Sequence, residues 1–468
     1  MRRDIGLHIR KSTASILACF LSVGFLAPIA SGQAVLLQNV HVIDMENNRV
    51  LRNRSVLIED GIIRAVDKPR KVHAPEGVQR IAGRGRFVMP GLTDAHYHVR
   101  SETELVSNVR YGVTTVFLMS GDARRLRFRE EIKRGERIGP YIYTSGPLID
   151  GNPPVWPTHS SVVATPEEAS AEVNKQAQAG YDYIKVYNRL TAESLRAVIA
   201  TARTRNLAVV GHIPRQVGAA GSLDLGMSMV AHVEELYFTF LGGPSDQQLR
   251  EGVQPICNTE RLPELIALLK RKGTFVTANI SFSAALLKMV DAPQEIFGDP
   301  ELRYLHPARR ELWEREQFGR RPDLKLKLPR ERVKYECSQK LLAGLNRAGV
   351  PILAGTDSSA PGLFPGKALV WELQELSKAG LSPFEALRTA TVNPAAFAIQ
   401  KIPGARKFGL VKPGWAGDLV VLRRNPLQTI DNLQTIEAVV LHGKYLPIEE
   451  IDKLRSDFPS TFAREDLR

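Results

Sequence analysis

Two histidines in the stretch GLTDAHYHV, residues 91–99, have the spacing of a metal-binding pair. His96 and His98 are separated by one residue and closely follow the apolar run FVMP. Alternate side chains of a β-strand project to the same face, so both imidazoles would lie together at one strand end. Imidazole nitrogens are common ligands of zinc and similar divalent ions. Because the chain has ten histidines, this pair alone is weak support, and a metal site requires further ligands.

Four other residues suited to such a site each belong to a different apolar run. Lys185 lies in YDYIKVY, His212 in LAVVGHI, His232 in SMVAHVEE and Asp357 in VPILAGTDS. Taken one at a time, each histidine could be an ordinary hydrogen-bonded core residue, and Asp357 could cap the following helix. Because polar residues recur at the ends of several runs, the whole set predicts a metal centre built from imidazole nitrogens and a carboxylate.

Lys185 is an unusual member of this set, because an ammonium group has no lone pair for a metal and would be repelled by it. Burial lowers the pKa of a lysine, since its charged form is poorly solvated. A neutral amine can add carbon dioxide, and the resulting carbamate has two oxygens that could bridge two metal ions. The alternative is an ion pair between Lys185 and a carboxylate such as Asp182.

Two further residues are candidates for contact with a substrate. Tyr187 lies two residues after Lys185, on the same strand face, and could donate a hydrogen bond to a developing oxyanion. Core packing or a contact at the rim explains it equally well. His159, in the loop GNPPVWPTHSS, could contact substrate or only solvent.

Between residues 90 and 405, short apolar runs alternate with amphipathic helical stretches, the pattern of consecutive βα units. Eight such runs predict an α/β fold, a (β/α)8 TIM-type barrel, whose chemistry would lie at the C-terminal ends of the strands. The segment 282–346 is too long for a simple connection and predicts inserted helices. The eight runs are FVMPGLTDAHYHV, GVTTVFLMS, YIYTSGPLI, YDYIKVY, LAVVGHI, SMVAHVEE, TFVTANIS and VPILAGTDS.

Both ends of this region have the short alternating runs of a small β-structure. Residues 33–89 include Asp60-Gly61 between two β-rich halves, which indicates a hairpin turn. Residues 406–448 have a similar pattern, so we expect both parts to form one β-sandwich, followed by a C-terminal tail at 449–468.

The first 32 residues have the features of an export signal: a basic start, an apolar run and small residues before Gln33. A retained membrane anchor is the alternative, but the apolar run is shorter than the ~20 residues of a spanning helix and contains Pro28. We therefore predict an exported protein, periplasmic or secreted. Removing the signal lowers the net charge from +13 to about +10.

The remaining composition restricts the partners. No zinc-finger, RNA-binding or basic-aromatic pattern supports nucleic-acid binding, and no later segment resembles a membrane span. Cys257 and Cys337 could form one disulfide after export. Residues 301–334 contain eleven Lys and Arg against six Asp and Glu, which indicates a solvated helical face or, alternatively, a patch that attracts acidic substrates. A homo-oligomer is compatible with the sequence.

The motifs PGLTDAHYHV, YDYIKVY, VVGHIP, VAHVEE and LAGTDS, in this order, resemble those of the amidohydrolase superfamily, especially its imidazolonepropionase-like and prolidase-like members. The resemblance covers roughly residues 35–445. It implies that His96, His98 and Asp357 bind a first metal, that His212 and His232 bind a second, and that carboxylated Lys185 bridges both. Two divalent ions, zinc above all, would form a metal-bridging hydroxide that attacks a carbonyl. Asp357 would then transfer the proton to the leaving nitrogen.

This resemblance implies hydrolysis of a carbon–nitrogen bond in a small amide, dipeptide or cyclic amide. Esters, lactones or phosphotriesters are alternative substrates for the same site. A catalytically inactive barrel with a binding or assembly role is the alternative from another class. Prolidase-like members often have a glycine-histidine-glycine motif in the loop of His159, and its absence here counts against dipeptidase activity.

Overall fold

The computed structural model describes residues 34–315, 322–358 and 360–462. The predicted export signal lies outside the described residues. The strands, in chain order, are β1 (Val35–Asp44), β2 (Arg49–Glu59), β3 (Ile62–Asp67), β4 (Gln79–Ala82), β5 (Phe87–Pro90), β6 (Leu92–Tyr97), β7 (Val113–Leu118), β8 (Tyr141–Thr144), β9 (Leu148–Asp150), β10 (Ser160–Val162), β11 (Tyr183–Val186), β12 (Ala208–Gly211), β13 (Met229–Val230), β14 (Phe275–Thr277), β15 (Ile352–Leu353), β16 (Leu419–Leu422), β17 (Ile436–Leu441) and β18 (Lys444–Pro447).

The helices are distributed through the middle and the C-terminal end of the chain. They are α1 (Glu102–Arg110), α2 (Ala123–Lys133), α3 (Pro166–Gln178), α4 (Ala192–Thr204), α5 (Gly218–Leu225), α6 (Glu234–Thr239), α7 (Asp246–Arg250), α8 (Leu262–Lys272), α9 (Ile280–Asp291), α10 (Pro293–Phe297), α11 (Pro307–Arg315), α12 (Pro322–Arg347), α13 (Lys367–Lys378), α14 (Pro383–Thr389), α15 (Val392–Lys401), α16 (Ile448–Ser456) and α17 (Phe458–Phe462). The last two lie in the segment that we expected to be a tail.

Strands from both ends of the described chain form one mixed eight-stranded sheet. Its order is β18-β17-β16-β5-β1-β2-β3, and β4 also pairs with β1. Strands from both parts therefore share one hydrogen-bonded sheet, in which β1 changes partner along its length, from β4 to β5. The predicted hairpin is confirmed. Asp60 and Gly61 connect β2 to β3, both with positive φ, as the tight turn requires.

Parallel strands alternating with helices form the middle of the chain, in agreement with the α/β prediction. One sheet has the order β6-β7-β8, and a second has the order β10-β9-β11-β12-β13-β14-β15. Single parallel bridges, Tyr97–Ser358 and Ser145–Tyr183, connect these two sheets. Each of the eight predicted runs contains a strand. Strand β9 follows β8 within the third run and was not predicted as a separate strand, and β10 was not predicted, because strands of three residues have no clear periodicity.

Most of these strands have no exposed residue, which is typical of parallel strands covered on both faces. The helices bury one face each. In α3 and α4, Thr165 and Thr191 accept hydrogen bonds from the backbone N–H groups of Glu168 and Ser194, which stabilises both N-termini. Because the strands are covered on both faces, their C-terminal ends are held in fixed positions. These ends contain the candidate site residues of the sequence analysis.

The described parts of the segment 282–346 contain helices from α9 to α12, and they contact the region that follows His232. Lys334 on α12 lies 2.7 Å from Glu234, and Ser283 on α9 donates to the same carboxylate. Cys337 on α12 forms a disulfide with Cys257, so this bridge, open in the sequence analysis, ties α12 to the segment before α8. Within the described ranges, every helix is too short or too polar to cross a membrane.

Candidate metal centre

His96 and His98 lie at the C-terminal end of β6. His96 is buried, whereas the His98 side chain is 17% exposed. Their Nε2 atoms are 3.5 Å and 2.9 Å from Asp357 Oδ1. The two segments are close because Gly355 leaves room: a Cβ atom there would lie only 2.7 Å from His96 Cβ. A larger residue at this position would push the segment of Asp357 away from His96.

Lys185, His212 and His232 come from three neighbouring parallel strands. Lys185 lies within β11, and its Nζ is 3.4 Å from His96 Nε2. His212 directly follows β12 and His232 follows β13. The ring centroid of His232 is 4.4 Å from that of His96 and 4.8 Å from that of His212. Four imidazoles, one amine and one carboxylate therefore form a single cluster.

His232 and Asp357 adopt an uncommon backbone conformation. Their φ angles are +66° and +59°, in the left-handed region that disfavours residues other than glycine. Such a residue costs on the order of 1–3 kcal/mol and persists only where the surrounding structure enforces it. The chain adopts this conformation two residues after β13 and four residues after β15, where both side chains join the cluster.

The donor set fits divalent metal ions. Ligand atoms of His96, His232 and Asp357 all lie within 4.8 Å of one another. The Nδ1 atoms of His96 and His232 are buried and have no hydrogen-bond partner among the described residues, unlike those of ordinary core histidines. Burial lowers the pKa of His98 and His232 to about 4, so both imidazoles are neutral near pH 7, the form that binds metals.

Asp357 is held in its ionised form. Burial alone would raise the pKa of Asp357, but the hydrogen bond from His98 and the electrostatic interactions with His98, His232 and Lys185 lower it well below the usual value. The expected alternative, a helix cap, is wrong, because the next helix, α13, begins at Lys367 with Gly366 as its N-cap. Asp357 is therefore available as an anionic ligand.

Lys185 has the environment that favours a neutral amine. Burial lowers its pKa to about 7, although the more distant charges of Asp357 and Glu235 oppose the shift. The alternative ion pair with Asp182 is wrong. Asp182 instead accepts hydrogen bonds from Arg129 at 3.1 Å and from the backbone N–H of Thr144 at 2.8 Å. Lys185 is thus buried without a carboxylate partner within 4 Å among the described residues.

Comparison with known proteins agrees with this geometry. The model of the Amidohydrolase family matches residues 87–446, more than three quarters of the chain. This chain belongs to the amidohydrolase family. It is 23% identical to ochratoxinase from Aspergillus niger over 456 residues, which covers 83% of this chain and 81% of the relative.

Solved structures of the family share the fold. The structure of a putative prolidase from Bifidobacterium longum has a TM-score of 0.67 and 23% identity, with 92% of this chain and all of that chain covered. Bottromycin amidohydrolase has a TM-score of 0.71 and 22% identity, with 91% and 90% covered. At these identities, the likeness concerns the fold alone.

In this amidohydrolase, Glu235 orients His212 and so supports the side of the cluster that contains His212 and His232. The sequence analysis missed this role. Its buried carboxylate accepts hydrogen bonds from His212 Nδ1 at 3.1 Å, Arg215 at 2.9 Å, Asn188 at 3.2 Å and the backbone N–H of Ile213 at 3.1 Å. Burial would raise the pKa of Glu235, but His212 and Arg215 lower it to about 2. The sequence signal was a carboxylate three residues after His232.

Asp94 supports the side of the cluster that contains His96 and Asp357, and the sequence analysis also missed this role. Its buried carboxylate accepts a hydrogen bond from Thr356 Oγ1 at 2.6 Å and from the backbone N–H groups of His96 and Thr356, each at 3.1 Å. It thereby joins the end of β6 to the segment of Asp357. Burial raises the pKa of Asp94 to about 7. Its position two residues before His96, on the same strand face, was the available signal.

Of the two expected substrate contacts, Tyr187 lies beside the cluster and His159 does not contact it. The Tyr187 ring centroid is 4.0 Å from that of His212, and its hydroxyl accepts a hydrogen bond from Trp156 Nε1 at 2.9 Å. Trp156 itself is 52% exposed. His159 is exposed immediately before β10, and none of the contacts in the described chain joins its side chain to the cluster residues.

Proposed function

We propose that this amidohydrolase is a binuclear metal-dependent hydrolase of carbon–nitrogen bonds in small amides. The observation that carries the proposal is the cluster of four histidines, Lys185 and Asp357 at the ends of parallel strands. We further propose that β6–β8 and β11–β15 close an eight-stranded barrel, because the two bridges between the sheets connect these strands into one ring. The active site would occupy one mouth of this barrel.

The chemistry of the donors indicates how two ions would be held. His96, His98 and Asp357 would bind one ion, His212 and His232 the other, and carboxylated Lys185 would lie between them. Nitrogen and carboxylate donors suit zinc and comparable divalent ions. When bound, such ions make water a nucleophile at neutral pH and polarise the substrate carbonyl.

Asp357 would transfer the proton during the reaction, and Tyr187 would stabilise the negative charge that develops on the substrate oxygen. Asp357 is ionised, so its carboxylate can accept a proton during attack and deliver it to the leaving nitrogen. The hydroxyl of Tyr187 accepts from Trp156, which leaves its own proton free to donate to a developing oxyanion.

We further propose that the protein is exported from the cytoplasm. The signal at residues 1–32 would direct the protein to the periplasm or the extracellular space, where the Cys257–Cys337 disulfide would persist.

The relatives found by sequence and structure include enzymes named ochratoxinase, prolidase and amidohydrolase, which favours a small amide or peptide substrate.

The test combines metal analysis with a hydrolysis screen. Protein produced with added zinc or manganese and with bicarbonate should contain close to two divalent ions per chain. It should hydrolyse at least one of a panel of N-acyl amino acids, dipeptides, cyclic amides, esters, lactones and phosphotriesters. Fewer than about one ion per chain together with no turnover would favour a binding or assembly protein. Turnover of esters, lactones or phosphotriesters but of no amide would reassign the substrate class.

Lys185→Ala tests the bridging role. We expect this variant to lose most of its bound metal. The control is Lys175→Ala, which removes a lysine on α3 that is 75% exposed and that, among the described residues, pairs with Glu172. Full metal content and an unchanged rate in Lys185→Ala would refute the assignment of Lys185.

A further inference from the structure

Trp156 is a large apolar side chain that is exposed close to the candidate metal centre. It lies in the loop between β9 and β10 and is 52% exposed, and its neighbour Val155 is 37% exposed. A single exposed apolar residue is common on protein surfaces and by itself indicates nothing. Two features distinguish Trp156 from such residues: the contact that its indole group makes, and the way in which its loop is anchored.

The indole group contacts a residue that packs on the cluster. Trp156 Nε1 donates a hydrogen bond to the Tyr187 hydroxyl at 2.9 Å, and the ring centroid of Tyr187 is 4.0 Å from that of His212. Tyr187 alone therefore separates the indole from a histidine of the cluster. Because the N–H group is the one polar group of the indole and is already hydrogen-bonded, the rest of its surface can make only apolar and aromatic contacts.

The loop of Trp156 is anchored to the segment that contains Tyr187. The carboxylate of Asp150, which is fully buried, accepts hydrogen bonds from the backbone N–H groups of Val155 at 2.8 Å and Arg189 at 2.7 Å. One carboxylate thus joins the residue before Trp156 to a residue two positions after Tyr187. The indole is held in position before any ligand binds, so binding orders fewer groups and costs less entropy.

Trp156 and Asp357 lie at different sides of the cluster. Asp357 is 2.9 Å from His98, whereas Tyr187, the partner of Trp156, packs on His212. In the proposed reaction, Asp357 delivers a proton to the leaving nitrogen and Tyr187 donates to the carbonyl oxygen. The leaving half of an amide would therefore extend toward Asp357, and the acyl half would extend toward Trp156.

We propose that Trp156 forms the wall of an apolar subsite that binds an aromatic or large aliphatic group in the acyl half of the substrate. The assignment to the acyl half rests on the proposed function, whereas the binding of an apolar group does not. A ring placed against the indole removes apolar area of both groups from water and gains the ring–ring contact that aromatic pairs favour. The preferred substrates would be amides of aromatic or long-chain carboxylic acids, and simple acetamides would leave the indole in water.

The test compares two ketones, 4-phenyl-2-butanone and 2-butanone, which have a carbonyl group but no scissile bond. Their affinities for the metal-loaded protein are measured by NMR titration. The parent protein should bind the phenyl ketone at least roughly ten-fold more tightly than 2-butanone, and Trp156→Ala should lose most of this preference. Trp156→Phe keeps an aromatic ring without the N–H group and should retain the preference.

The matched control is Ile399→Ala, which also shortens an exposed apolar side chain. Ile399 is 45% exposed on α15 and borders a surface cavity together with Ala208, the first residue of β12. This cavity is at the other end of the strand from His212, so Ile399→Ala should bind both ketones as the parent protein does. Comparing the ratio of two affinities removes any general effect of a substitution on the amount of folded protein.

Four results would overturn the subsite. They are binding of neither ketone to the parent protein, an equal preference in parent protein and Trp156→Ala, an equal loss in Ile399→Ala, and a loss in Trp156→Phe as large as that in Trp156→Ala. The last result would mean that Trp156 acts only through its hydrogen bond to Tyr187. Light scattering gives a further check, because a change of oligomeric state in Trp156→Ala with an unchanged preference would make Trp156 a contact between subunits.

Hydrolysis separates this proposal from the proposed function. In active protein, kcat/KM for N-(3-phenylpropanoyl)glycine should exceed that for N-acetylglycine, and Trp156→Ala should lose this difference mainly through a higher KM. If the ketone preference depends on Trp156 but no protein cleaves any amide, the apolar subsite holds and the proposed function falls. If amides are cleaved and Trp156→Ala changes neither preference, the proposed function stands and the subsite is wrong.

Discussion

Glu235→Gln is the most informative change outside the metal ligands. The Glu235 carboxylate accepts four hydrogen bonds, two on each oxygen, from His212 and Arg215 and from Asn188 and the backbone of Ile213. Glutamine keeps the shape but replaces one acceptor oxygen by a donor, so two of the four donors lose their acceptor. At 1–3 kcal/mol for each buried group left unsatisfied, we expect a loss of about 2–4 kcal/mol in the free energy of unfolding, allowing for relaxation.

The same change should weaken metal binding, because Glu235 fixes the ring of His212. Loss of such an orienting partner typically costs 10- to 100-fold in metal affinity. In a chelator-buffered titration, one of the two ions should dissociate from the variant at a free zinc concentration roughly 10- to 100-fold higher than from the parent protein. The other ion should stay bound to both proteins. The assay is a zinc titration of Glu235→Gln, with urea unfolding of the metal-free protein in parallel.

The effect on stability should depend on pH. The folded-state pKa of Glu235, about 2, is below the usual value of 4.5, so its ionised form stabilises the fold above about pH 4.5 and this stabilisation is lost as pH falls toward 2. The difference between parent and variant should therefore shrink below pH 4.5. Glu193→Gln, an exposed glutamate on α4, is the control and should change neither property. Equal metal affinity and stability in Glu235→Gln and Glu193→Gln would refute this reasoning.

Three further changes test the remaining roles. Asp357→Asn should retain the fold but reduce turnover by roughly two orders of magnitude or more, since an amide cannot transfer the proton; near-normal turnover at neutral pH would make Asp357 a passive ligand. Tyr187→Phe should lower kcat about ten-fold or more with little change in metal content, and an unchanged kcat would assign Tyr187 to packing against His212. Asp94→Ala should lower metal content because the bond between Thr356 and the β6 segment is lost; unchanged metal content would contradict a positioning role.

The sequence by itself determined which side chains could bind metal and the type of element that carries each. Period-two alternation places His96 and His98 on one strand face, and an apolar run before each of Lys185, His212, His232 and Asp357 indicates a buried strand whose end is polar. These inferences depend only on local pattern, and the eight strands occur where the runs predicted them. Local pattern could not settle whether Lys185 pairs with Asp182 or whether Asp357 caps a helix, because both alternatives concern partners that depend on tertiary contacts.

Only the tertiary structure decided those partners. Asp182 accepts hydrogen bonds from Arg129 and from the backbone N–H of Thr144. Lys185 instead lies beside His96, which is 89 residues away in sequence. The roles of Glu235 and Asp94 were equally hidden, since a carboxylate near a histidine in sequence gives no indication of which donors surround it after folding. Such long-range contacts have no periodic signal, because they are set by how whole elements pack.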